Sequence, residues 1–203
     1  MTGTSMMQRW VSLFPSVSLD CSLYWYRWVK AHYEAPGRYF HDFGHIEHIL
    51  LVAEEYLDFV PRTVLIAIWL HDIVYAPGSP FNESDSAAVA RMILVHLGVS
   101  SQDIELIAEM IECTKTHIAT SWQAAILCDL DLSSLGSSPD IYQEGSAKIQ
   151  KEFAAFSASE QSIGRNVFIK RMLGREWIYS TDLFRKMFEA QARDNLQAEL
   201  DTW

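Results

Sequence analysis

The segment Thr63–Tyr75 (TVLIAIWLHDIVY) is apolar almost all round, yet it places His71 and Asp72 side by side. Burying an imidazole beside a carboxylate is expensive unless each group finds a partner. A divalent cation satisfies both best, since imidazole nitrogen and carboxylate oxygen are suitable ligands for first-row divalent metals. Adjacent residues of a helix diverge by about 100°, so both can reach one ion lying off the helix between them. Upstream, His41–Phe59 carries Ile46, Ile49, Leu50, Ala53, Tyr56 and Leu57 as a one-sided apolar stripe. His41, His45 and His48 fall in a narrow strip beside that stripe, His45 nearest to it. Downstream, the apolar segment Trp122–Leu135 carries Asp129 and Asp131.

Helices must position these groups, because strand alternation is missing along the chain. The pattern predicts helices over Ser5–Phe14, Leu19–Tyr33, His41–Phe59, Arg62–Tyr75, Ser84–Leu97, Ser101–Thr114, Trp122–Leu135, Pro139–Phe156, Ser159–Leu173 and Asp182–Leu200. Pro36-Gly37, Pro61, Gly98 and Gly136 punctuate them, and Ser84 with Asp85 suits a helix start. The expectation is an all-α, single-domain helical bundle over residues 1–203, with a metal-binding core at about 38–135 and C-terminal helices at 139–200.

Length and charge narrow the function. A chain of 203 residues buries a sizeable core without staples. Sixteen Lys+Arg against 26 Asp+Glu give a net charge of -10, which argues against non-specific nucleic-acid binding or a polybasic membrane surface. The longest apolar run, Val64–Leu70, is far short of the ~20 residues a membrane helix needs. Cys21, Cys113 and Cys128 are scattered, with no CxxC, and fit a reducing compartment as small buried side chains. With no signal-peptide pattern over Met1–Leu13, a cytoplasmic protein is expected.

The order His … His-Asp … Asp on helices resembles the HD superfamily of metal-dependent phosphohydrolases. Six local strings sharpen the likeness to its predicted metal-dependent phosphohydrolase branch: Arg38–Ile46 (RYFHDFGHI), Ala67–Tyr75 (AIWLHDIVY), Asn82–Ala87 (NESDSA), Thr114–His117 (TKTH), Asp129–Gly136 (DLDLSSLG) and Glu189–Leu196 (EAQARDNL). The resemblance implies a helical HD bundle in which His45, His71 and Asp72 bind metal with a distal aspartate. Asp129 and Asp131 stand about 200° apart on a helix, so one regular helix cannot aim both at one ion. The apolar positions centre the buried face near Cys128, Leu135 and Ala124, with Asp131 close to it and Asp129 well away. Asp131 is the preferred ligand, and Asp129 stays open as the alternative.

One divalent ion is expected (Mn, Fe, Co, Ni, Zn or Mg), acting on a small phosphorylated metabolite or nucleotide through a metal-activated water. Glu83, or else Asp129, would manage the proton. Arg38, His41, Lys115 and His117 would meet the phosphate, although Arg38 also reads as a surface charge and His117 as a helix-end cation. Asn82 reads as a helix cap, and Arg165, Arg171 and Arg175 as the solvated face of a late helix. Two other functions compete: a di-iron oxygenase on the same scaffold, and a regulatory module that holds metal or nucleotide without turnover.

Overall fold

Serine, threonine and aspartate stand at the head of helix after helix. The side chains of Ser5, Ser18, Asp42, Ser100, Ser121, Ser157 and Thr181 each accept the backbone N–H three residues on. Each satisfies a donor that the first helical turn leaves free. In the computed structural model, which describes residues 4–202, the chain runs α1 (Met6–Ser12), α2 (Leu19–Tyr33), α3 (Phe43–Tyr56), α4 (Arg62–Leu70) and α5 (Asn82–His96). It continues with α6 (Ser101–Cys113), α7 (Trp122–Asp131), a 3-10 turn (Leu132–Gly136), α8 (Pro139–Glu152), α9 (Ala158–Leu173) and α10 (Asp182–Asp201). No strand occurs among the described residues. The fold is an all-helical bundle.

Helix α4 is its pivot. Val64, Ile66, Ala67, Ile68, Trp69 and Leu70 are all fully buried, and α3, α5, α6 and α7 pack around them. Trp10 on α1 reaches in, its ring 5.4 Å from that of Trp69 and edge-on to it. The Trp10 indole N–H donates to the Ser22 carbonyl at 3.0 Å, so this wide apolar ring is buried without an orphaned donor. Helix α10 packs on α9 and on the 3-10 turn. At Gly136 a Cβ would come within 2.6 Å of Phe188 Cβ and 2.9 Å of its carbonyl oxygen, so α10 approaches where only glycine fits. No helix among the described residues is long and apolar enough to cross a membrane.

Among the boundaries that depart from the periodic reading, three have a tertiary reason. Helix α4 ends at Leu70, with His71 as its cap, rather than running to Tyr75. Beyond it, remote side chains take the backbone: Tyr33 Oη accepts the Asp72 N–H, and Ser86 Oγ bonds both N–H and C=O of Val74. Helix α5 starts at Asn82, not Ser84, and Asn82 folds the preceding loop by pairing with both the N–H and the C=O of Ala76 instead of capping. Helix α7 gives way at Asp131 to the 3-10 turn, which Asn195 Nδ2 fastens through the Leu135 and Ser137 carbonyls.

Candidate metal centre

His71 sits at the end of α4, 1% exposed, and its Nδ1 lies 3.0 Å from the Ile68 carbonyl. A carbonyl can only accept, so Nδ1 carries a proton and Nε2 is the atom turned outward. That Nε2 is buried and makes no hydrogen bond. It faces Asp72 Oδ2 at 3.2 Å and Asp131 Oδ1 at 3.4 Å. Two carboxylates facing that nitrogen call for positive charge between them, either a proton on Nε2 or a metal cation in its place.

His45, in the first turn of α3 and held by the Asp42 cap, brings Nε2 to 3.1 Å from Asp131 Oδ1. One ligand atom from each of His45, His71 and Asp72 lies within 4.8 Å of the other two, a spacing that can hold one metal ion. Asp131, at the end of α7, touches both histidines of this triad and so closes it from the fourth side. The electrostatics agree. Burial works against charge on all three groups, but Asp72 and Asp131 still raise the His71 pKa well above its ordinary value. His71 in turn holds Asp72 low, and together with His117 and His45 holds Asp131 well below the carboxylate range. The pocket is built for positive charge. A buried imidazole nitrogen without a hydrogen bond, with a second imidazole and two carboxylates around it, fits a divalent ion.

The cluster opens on a cleft of about 990 Å³, which His41, His45, Glu83, Lys115, His117 and Asp131 all line. His117 is reached by an unusual backbone: its φ of 53° is in the left-handed region, costly for a residue with a Cβ. This bend at the end of α6 sets His117 Nε2 2.9 Å from Asp131 Oδ2. Arg175 holds the bend by donating to the carbonyls of Thr116 and His117. Lys115 donates to the Pro80 carbonyl, and Glu83 in the first turn of α5 makes no side-chain hydrogen bond.

His41 is fixed by a residue that the periodic reading passed over. Glu152 Oε1 accepts the N–H groups of Tyr39, Phe40 and His41 at 2.8–2.9 Å. Its Oε2 accepts from His41 Nδ1 at 2.7 Å and from Tyr75 Oη at 2.9 Å. Against burial, these bonds lower the Glu152 pKa to about 2 and raise that of His41. An acidic residue beside the Tyr142–Ile149–Phe153 stripe of α8 was the only signal for it.

Two expected site residues do other work. Arg38 does not face the cleft: its guanidinium donates to the carbonyls of His41, Asp72 and Ile73 at 2.7–3.0 Å and lies over the Tyr33 ring. It ties the chain before α3 to the chain after α4, and so sets His45 against Asp72 rather than clamping phosphate. Asp129 is fully buried, not turned away from the core, because the α9–α10 connection covers that side of α7. Its two oxygens accept the N–H groups of Ser180 and Thr181 at 2.6 and 2.8 Å, leaving neither for a metal or a proton relay. Asp129→Ala is expected to lower unfolding free energy by about 2–5 kcal/mol, from two buried amides left without acceptors, with metal content per folded protein unchanged. Urea titration with metal analysis reads both.

The late arginines are likewise not a solvated face. Arg165 is bidentate to Glu199 at 2.8 and 2.9 Å, and only Arg171 stays exposed. The EAQARDNL string turns out to organise backbone. Glu189 accepts from the N–H groups of Ile178 and Tyr179, and Arg193 donates to the carbonyls of Leu173, Arg175 and Glu176, which fixes the segment that carries Arg175 to the His117 bend. No family model, curated protein or solved structure matches this chain.

Proposed function

We propose that the chain is a metal-dependent phosphohydrolase of the HD type, acting on a small phosphorylated metabolite or nucleotide in the cytoplasm. The observation that carries this reading is His71 Nε2, a buried nitrogen with no hydrogen bond, set against two carboxylates at the inner end of a large cleft. His45, His71, Asp72 and Asp131 would hold the ion; two imidazoles with two carboxylates suit Mn, Fe, Co, Ni or Zn, and Mg is the harder alternative. When bound, such an ion lowers the pKa of a water toward neutrality and polarises a phosphoryl oxygen.

The chain's own side chains supply the rest. His41, with Nδ1 fixed on Glu152 and its pKa raised, keeps Nε2 for a phosphate oxygen. Lys115 and His117 come to the same cleft from the α6–α7 connection and neutralise further charge. Glu83 lines the cleft without a hydrogen-bond partner of its own, which suits a proton carrier.

A phosphatase panel with Mn, Co, Ni and Mg tests the reading: at least one ion should support turnover, and none doing so with any phosphate ester would end it. Glu83→Gln is expected to keep its metal while kcat falls on the order of 10²–10⁴-fold. Wild-type turnover would remove Glu83 from the scheme. The contact of His117 with the second oxygen of Asp131 favours one other chemistry, a two-iron oxygenase in which His117 would join the metal ligands. An iron-dependent visible spectrum with oxygen consumption, and no phosphatase activity, would select it.

A further inference from the structure

The cleft is far larger than a phosphate and an ion require, and its two ends differ. At about 990 Å³ it has the size of a site for a drug-sized molecule. Beside the metal corner stands Phe40, its ring 5.2 Å from that of His45 and 5.0 Å from that of His41. From there the wall of α8, the turn after it and α9 carries Ile149, Phe153, Phe156, Ile163 and Phe168, interleaved with polar and charged residues. Ile163 is 63% exposed and Phe156 37% exposed, although both line a concave surface.

Each wall helix also carries an interior glycine on the cleft, Gly145 in α8 and Gly164 in α9. Glycine in a helix interior is destabilising relative to alanine. A Cβ at Gly164 would meet nothing within 4 Å, and its backbone needs no positive φ. Neither packing nor conformation therefore calls for glycine there, and what its missing side chain leaves is open cleft. Of the cations that line this end, Arg165 is already taken by Glu199 and by Tyr142 Oη at 3.1 Å, and Lys148 and Arg171 are exposed.

We propose that this end of the cleft is a subsite for a large apolar body, so that the substrate is the phosphate ester of an aromatic or bulky apolar alcohol rather than of a sugar or short polyol. The phosphate end of this ligand rests on the phosphohydrolase reading; the apolar subsite rests on the cleft wall alone. The geometry of the wall makes Gly164 the position where added volume enters the subsite without touching the metal corner.

The test uses the full chain loaded with whichever ion supports turnover. The kcat/KM for 2-naphthyl phosphate should exceed those for glycerol 2-phosphate and adenosine monophosphate by roughly tenfold or more. Gly164→Phe should lower it for the naphthyl ester by about tenfold and leave glycerol 2-phosphate within about twofold, with metal content unchanged. Equal losses for both esters, or a wild-type preference for the polyol or the nucleotide, would overturn the proposal. Fluorescence titration with 2-naphthol reads the subsite without any chemistry. Wild type should bind it, with binding weakened about tenfold in Gly164→Phe and in Ile163→Asp, a change at an exposed position. Unchanged binding in both variants would overturn the subsite even in an active phosphatase. Weakened binding in a protein that hydrolyses no ester would uphold the subsite and remove the phosphohydrolase reading.

Discussion

Replacing His71 by alanine is expected to strip the protein of its divalent metal. The ring supplies a buried nitrogen without a hydrogen bond at the point where His45, Asp72 and Asp131 converge. Losing a partner outside the ligand shell already costs 10–100-fold in metal affinity, so losing a ligand should cost about 100-fold or more. Protein purified from metal-supplemented medium should show near-complete loss by elemental analysis, whereas His48→Ala should stay loaded. His48 lines the same cleft, but its one side-chain contact is Ser133 Oγ at 3.4 Å, which makes it the appropriate control. Full metal retention by His71→Ala would remove the site as drawn.

The second large effect is on stability, and it has a pH signature. Glu152 gathers five donors on one buried carboxylate, so Glu152→Ala orphans three backbone amides at the entry to α3 and the ring that stacks on Tyr75 at 4.2 Å. Breaking such a buried, hydrogen-bonded charge costs about 3–5 kcal/mol. In the folded protein the Glu152 pKa falls from 4.5 to about 2. Between those values the unfolded chain binds a proton that the folded one refuses, so this stabilisation is complete above about pH 5 and is lost as pH falls toward 2. The gap in unfolding free energy between wild type and Glu152→Gln should therefore be largest near pH 5, close progressively below pH 4.5, and narrow again above about pH 6 as the His41 proton that Glu152 holds is lost. A gap that stays the same down to pH 3 would show that the carboxylate charge is not what those donors need.

Most helices were legible because each buries one face and announces its start with a capping side chain, and these are local signals. The pairing of His71 with Asp72 was legible for a similar reason, as two polar groups inside an apolar run. The geometry around them was not. Helix α4 ends at Leu70 because Arg38, Tyr33 and Ser86 supply hydrogen bonds to Asp72, Ile73 and Val74, and no window of sequence contains those partners. The periodic argument ranked Asp131 above Asp129 by assuming that α7 has one buried face. Helix α7 is covered on a second side by residues 50 positions later, so Asp129 is more buried than Asp131 and is taken up by Ser180 and Thr181. Glu152, Arg38 and Arg175 share this character. Each is a long charged side chain whose partners are backbone groups of distant loops, and burial of such residues leaves almost no trace in a hydrophobic pattern.

The central claim is that His45, His71, Asp72 and Asp131 together hold one divalent ion. Its most direct measurement is X-ray diffraction from crystals grown with Mn, collected with the anomalous signal of that metal. A single strong anomalous peak bounded by His45 Nε2, His71 Nε2 and oxygens of Asp72 and Asp131 is the expected result. An occupied Mn site elsewhere on the chain, with that cluster bearing no peak and His71 bonded to a carboxylate through a proton, would contradict it.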